Sequence, residues 1–258
     1  MGAHALPAAG RSSRPFLRRA NAVLGLLHAL QAVGVLALAT DFSLPVTGAF
    51  LDGPPGDLPT REVLFNLPIA ATVALFLALA AIDHLAMAAP GICGWYAVQI
   101  EKHRNVARWT EYSFSASVMA VLIAMLAGIT DIGALIGIFA LSAGMIGCGL
   151  LMELSNGPGR PTRWAPFIVG SAIGVVPWLV IGTAIVGAEL DGSVPGFVYG
   201  IFVSLFLLYN SFAINMWLQY RRAGHWRDYA FGEGVYLGLS LIAKSLLAWQ
   251  IFGSTLAA

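Results

Sequence analysis

Charge is what this sequence has least of. Of its 258 residues only 10% are charged, and 14 Lys and Arg against 13 Asp and Glu leave a net charge of +1. An ordinary soluble domain carries roughly 25% charged residues. With 58% hydrophobic residues and a mean hydropathy of +0.79, the chain reads as an integral membrane protein. The near-neutral balance offers no basic surface for nucleic acid. Cysteine is almost missing: Cys93 and Cys148 sit in or beside apolar stretches, so neither a disulfide framework nor a metal site is expected. No Cys-x-x-Cys, His-Glu-x-x-His, phosphate-loop or Gly-x-Gly-x-x-Gly pattern is present, and no nucleophile–base constellation stands out, so an enzymatic role is not expected. Lysine is reduced to Lys102 and Lys244.

Apolar runs fill the chain instead. Seven stretches are long enough to cross a bilayer, which takes about 20 residues: 20–40, 68–89, 106–126, 132–154, 165–188, 196–219 and 229–256. They predict an all-α membrane protein, a single seven-helix domain over residues 1–258 with a cytoplasmic tail at 1–19. The first run is longer than the apolar core of a signal peptide. Although Ala37-Leu38-Ala39 faintly resembles a cleavage site, an uncleaved first span is expected.

The positive charges set the orientation. Arg11, Arg14, Arg18 and Arg19 precede the first span. Lys102, Arg104 and Arg108 fall in the second connection, Arg160 and Arg163 in the fourth, and Arg221, Arg222 and Arg227 in the sixth. The opposite side has Arg61 alone. By the positive-inside rule the N-terminus is cytoplasmic and the C-terminus extracellular. The one long outer connection, 41–67, alternates short β-prone pieces with Gly and Pro and predicts a small hairpin.

Ionisable residues inside spans are costly and are site candidates by default. Lys244 stands near the middle of the last span. A buried lysine loses its proton readily and forms Schiff bases; pairing to a carboxylate on a neighbouring helix is the simpler structural role. Glu111 in the third span is its natural partner. At about 1.5 Å per residue, however, Lys244 lies ~22 Å along its helix from Tyr229 while Glu111 lies only ~8 Å from Val106. Ser240 is one turn before Lys244 and Ser115 one turn after Glu111, which would give a cationic nitrogen one carboxylate and hydroxyl partners. His28 and His84 lie nearer the cytoplasmic side, suited to holding protons or to hydrogen bonding alone. Asp83 and Glu153, near span ends, are expected to be solvated. For a long conjugated ligand, Trp178 in the fifth span and Phe206 and Tyr209 in the sixth are the best-placed aromatics.

These residues resemble a known family, the heliorhodopsins. The likeness is carried by Arg108-Trp109-Thr110-Glu111-Tyr112-Ser113 and on to Met119, by Asp41-Phe42 through Pro54-Pro55-Gly56, and by Val194-Pro195-Gly196-Phe197-Val198-Tyr199-Gly200. Asn210-Ser211-Phe212-Ala213, Leu239-Ser240-Leu241-Ile242-Ala243-Lys244-Ser245 and Ala248-Trp249-Gln250-Ile251-Phe252 extend it to the last span. The resemblance implies a rhodopsin-like bundle of inverted topology in the cell membrane, surrounded by lipid, and a homodimer formed through the first outer loop. It further implies all-trans retinal joined to Lys244 as a Schiff base, with Glu111 as counterion, and Ser240 and Ser115 as hydrogen-bonding partners. The implied pocket takes in Tyr112, Met119, Met145, Trp178, Phe206 and Tyr209, and His28 and His84 match the family's cytoplasmic-side histidines.

Proton-pumping rhodopsins keep a second carboxylate one turn before the lysine, where this chain has Ser240. They also keep a proton donor where it has Leu122, and a tryptophan where it has Phe206. The expectation is therefore a light sensor with a slow photocycle and no efficient pumping; the alternative is a light-gated proton channel or weak ion transporter. A cytoplasmic signalling partner would leave no mark in the sequence. Asp83 beside His84 departs from the family pattern.

Overall fold

A computed structural model describes residues 9–192 and 194–256, with the backbone alone for 9–14, 191, 255 and 256. Among the described residues seven helices are long and apolar enough to cross a membrane. They are carried by α1 (Ala9–Ala37), α2 (Ile69–Ala88), α4 (Val106–Leu126), α5 (Ile132–Ser155), α6 (Ala165–Asp191), α7 (Gly196–Tyr220) and α8 (Tyr229–Leu256). A helix satisfies its own backbone hydrogen bonds, which is what permits it to stand in hydrocarbon. Polar caps mark where two of them begin. Asn105 Oδ1 accepts from Arg108 N at 3.1 Å to start α4, and Asp131 Oδ1 accepts from Ala134 N at 3.0 Å to start α5.

Between α1 and α2 the chain forms an antiparallel hairpin, β1 (Ser43–Phe50) and β2 (Thr60–Pro68), as the Gly and Pro punctuation predicts. Thr47 N donates to Thr130 O at 2.8 Å, and the two threonine hydroxyls are 3.0 Å apart. These bonds fasten the hairpin to the α4–α5 connection, whose turn is made by Gly128 in a left-handed conformation at φ 90. One end of the bundle therefore carries the hairpin and the other the arginine-rich connections.

Three features differ from the sequence expectation. Helix α1 begins well before residue 20, because its first turns have something to rest on: Leu17 is buried beside Met87 and Tyr96, and Arg18 Nε donates to Ala88 O at 3.0 Å. Much of the expected tail is therefore helix, and residues 1–8 of it lie outside the described residues. A short extra helix, α3 (Cys93–Glu101), follows α2, turning Tyr96, Gln99 and Ile100 inward. Arg108, read as a loop charge, lies inside α4 and is buried.

Candidate functional site

Lys244 and Glu111 meet. The lysine Nζ donates to Glu111 Oε2 at 3.1 Å and to Ser240 Oγ at 3.1 Å, and both charged side chains are buried. Lys244 Nζ also lies 4.8 Å from the centroid of the Tyr112 ring, within reach of a cation–π attraction. The axial mismatch expected from counting residues disappears in the register of α4 against α8. Arg108 pairs with Glu233, and Tyr112 OH donates to Tyr236 O at 3.2 Å. Those contacts set Glu111 about level with the turn before Lys244, and the lysine arm leans back towards its helix N-terminus to reach it. Ser115 Oγ is fully buried and makes no hydrogen bond, as is also true of Glu111 Oε1.

Lys244 and Ser240 form the polar end of a cavity of about 130 Å³. Its walls are apolar and aromatic and include Trp109, Tyr112, Met119, Met145, Tyr209 and Phe212. Tyr209 OH is satisfied by Ala116 O at 2.8 Å, so it presents its ring rather than an unpaired hydroxyl. Two pocket candidates stand elsewhere: Trp178 and Phe206 line an adjoining groove between α6 and α7, which shares Met145 and Tyr209 with the cavity. Gly149 makes room for the Trp109 ring; a Cβ there would come within 2.4 Å of it. A primary amine at one end of an otherwise apolar chamber fits a ligand with a long hydrocarbon body and a single carbonyl terminus, which is the shape and chemistry of retinal.

Towards the arginine-rich end lies a second buried polar group. His28 and His84 stack with ring centroids 5.6 Å apart. His84 Nδ1 is 2.8 Å from Asn21 Oδ1, and both ring nitrogens of His28 are without partners. The chain continues through Tyr96 OH, which donates to Glu233 Oε1 at 3.3 Å, and Asn105 Nδ2, which donates to the same oxygen at 2.6 Å. Arg108 joins Glu233 to Glu153, reaching Glu153 Oε1 at 2.5 Å. Asn105 N and Tyr229 OH also donate to Glu153, at 2.7 Å and 2.9 Å. Glu153 is thus buried rather than solvated, because α4 supplies it with a guanidinium. Asp83 is half-buried on α2 rather than solvated.

Sequence reasoning misses Glu233 and the pairing of Arg108. One signal was available: Glu233, Tyr236, Ser240 and Lys244 recur at helical spacing in an otherwise apolar run and so share one face.

The fold is that of microbial rhodopsins. The light-driven proton pump LR (Mac) from Leptosphaeria maculans is similar with a TM-score of 0.66 at 12% identity, covering 98% of each chain. The thermophilic rhodopsin from Rubrobacter xylanophilus gives 0.62 at 18% identity, covering 93% of this chain and 95% of that one. At such identities the likeness concerns architecture alone. No curated protein matches the sequence. The heliorhodopsin family profile matches residues 17–256. With nearly the whole chain accounted for, and with an amine, its carboxylate and an apolar chamber in the bundle, this protein belongs to the heliorhodopsin family.

Proposed function

We propose that this protein is a light-sensing photoreceptor that carries all-trans retinal on Lys244 and signals without efficient ion pumping. The observation that supports this reading is the buried Lys244 amine at the mouth of an apolar chamber, 3.1 Å from a single carboxylate, Glu111. Bound retinal supplies an aldehyde that condenses with a primary amine, with loss of water, and a polyene that isomerises on absorbing light. Lys244 supplies the amine. Glu111 neutralises the positive charge on the linked nitrogen in surroundings where an uncompensated charge is costly. Ser240 offers the nitrogen a hydroxyl, and Ser115, one turn from Glu111, is placed to hydrogen-bond nearby. Tyr112, Met119, Met145 and Tyr209 hold the hydrocarbon body and exclude water, with Trp178 and Phe206 closing its far side from the neighbouring groove. His28 and His84 provide sites for a proton released towards the arginine-rich end.

Two residues argue against pumping. Ser240 cannot act as a second anion beside the nitrogen, and Leu122, fully buried in the core, cannot donate a proton. The positive charges at 18–19, 102–104, 160–163 and 221–227 favour a cytoplasmic N-terminus, which places the hairpin outside. Strand β2 leaves Val63, Leu64 and Phe65 exposed, an apolar strip suited to pairing two copies through this loop.

The decisive experiment joins two measurements. Reconstituted with retinal, the wild type should show a visible band and a slow flash-induced cycle, and Lys244→Ala should show neither. Voltage-clamped cells expressing the wild type should give no photocurrent. A sustained current would favour the light-gated channel or weak transporter instead. A visible band surviving in Lys244→Ala would remove the attachment site. Light scattering of the purified protein should report a dimer, and Val63→Glu with Phe65→Glu a monomer.

A further inference from the structure

The connections at the arginine-rich end enclose a cleft outside the spans. His103 contributes from the α3–α4 connection, Arg160 and Thr162 from the α5–α6 connection, and Arg222 and Arg227 from the α7–α8 connection. Its walls are fixed in three independent ways. Asn156, itself buried, closes the 156–163 loop by accepting from Arg163 N at 2.6 Å and donating to Arg163 O at 3.1 Å. Trp226 Nε1 donates to Asn215 Oδ1 at 2.6 Å and pins the 221–227 turn to α7. His103 stacks on Tyr229, with centroids 5.1 Å apart and planes within 2°.

The basic groups on these walls are left uncompensated. Arg160, Arg222 and Arg227 form no ion pair among the described residues. The neighbouring carboxylate of Asp228 accepts from Ala230 N at 2.9 Å, at the start of α8. His103 and Arg222 are also the two non-glycine residues with positive φ among the described residues, at 55 and 52. Left-handed backbone is disfavoured for such side chains and persists where the surroundings demand it. At both positions the demand comes from the helix ending itself: Arg104 N donates to Gln99 O at 3.1 Å after α3, and Ala223 N to Leu218 O at 3.1 Å after α7. Burial, and after it the nearby Arg222 charge, push His103 below its ordinary imidazole range against opposing pulls from Asp228 and Glu153.

We propose that this cleft binds a phosphate group, held by Arg160, Arg222 and Arg227 with His103 and the Thr162 hydroxyl as further donors. Guanidinium forks match phosphate oxygens bidentately, which a carboxylate exploits less fully with only two oxygens. The phosphate is either a membrane lipid headgroup, since the cleft lies just beyond the span ends, or a soluble phosphate compound. The site is linked to the interior: His103 rests on Tyr229, whose hydroxyl donates to Glu153 in the Arg108 network.

The test uses the full chain in phosphatidylcholine nanodiscs, titrated calorimetrically with sodium phosphate, sodium glutamate and sodium chloride at equal ionic strength. A soluble-phosphate site gives saturable heat with phosphate alone, weakened about tenfold or more in each of Arg160→Gln, Arg222→Gln and Arg227→Gln. A lipid site gives instead, in protein exposed to an equal mixture of phosphatidic acid and phosphatidylcholine and then washed, enrichment of phosphatidic acid by mass spectrometry, lost in the same variants. Circular dichroism confirms that each variant is folded, and Arg→Lys at the same positions should recover part of the binding. Either pattern supports the proposal. An equal response to glutamate, binding that the variants leave unchanged, or no binding in either arm overturns it.

Discussion

Arg108 Nη2 lies 2.5 Å from Glu153 Oε1, with both side chains sealed inside the bundle. The same guanidinium reaches Glu233 and sits 3.9 Å from the centroid of the Tyr236 ring. One cation serves both carboxylates, and hydrogen bonds from Asn105, Tyr96 and Tyr229 are part of what makes the group tolerable. Removing one partner of a buried ion pair strands the other without solvent and costs about 3–5 kcal/mol. Arg108→Met should therefore lower the thermal unfolding midpoint sharply in detergent. Arg108→Met combined with Glu153→Gln and Glu233→Gln should recover much of the loss. If the single and triple variants melt alike, the charges are not what holds this region together.

Glu111→Gln removes the only carboxylate hydrogen-bonded to Lys244 among the described residues. The cation on the linked nitrogen then loses its neighbouring anion. The visible absorption maximum of the retinal-loaded protein should move markedly, and added chloride should partly reverse the change by standing in for the missing charge. Spectra indistinguishable from wild type, with and without chloride, would exclude Glu111 as the counterion.

Gly149→Ala tests the cavity wall. The added methyl would meet the Trp109 ring at 2.4 Å, and ring atoms are not the free end of a flexible chain. Overpacking of this kind costs about 1–3 kcal/mol. Retinal uptake by the purified apoprotein, followed by growth of the visible band, should slow or stop. Gly137→Ala, in the same helix with nothing within 4 Å of its Cβ, should take up retinal at the wild-type rate.

His103 gives the protein a pH-dependent edge outside the spans. Burial and Arg222 lower its affinity for protons, against opposing pulls from Asp228 and Glu153. Below 6.5, the ordinary value, the unfolded chain binds a proton at this position more readily than the folded one. Stability therefore rises with pH across that window and falls as pH drops through it. Melting curves should show an acid-side loss that is reduced in His103→Gln. Saturating phosphate, if it occupies the neighbouring cleft, should shift the onset of that loss to lower pH.

Much of the molecule could be read from residue order. Apolar runs of span length locate the seven helices, and from Val106 onwards their starts agree closely with the structure. The hairpin follows from Gly and Pro between β-prone pieces. Lys244 and Glu111 stand out because an ionised group in hydrocarbon must have a reason to be there. Less legible was the start of α1, which depends on Leu17 and Arg18 finding partners on α2 and α3. Trp178 and Phe206, expected in the pocket from helix position and from the family resemblance, line the adjoining groove, where Trp178 packs edge-on against Phe206 and Tyr209.

What the sequence determined by itself is the number of crossings, the uneven distribution of positive charge and the presence of a lone amine in the last span. These are properties of local composition set against a bilayer of known thickness, and no fold is needed to state them. Tertiary structure alone decided which charges meet. Arg108, Glu153 and Glu233 lie on three helices, and their convergence depends on how α4, α5 and α8 slide and tilt against one another. That register is set by side-chain packing between helices, a relation between distant parts of the chain that helical periodicity within any one of them does not encode.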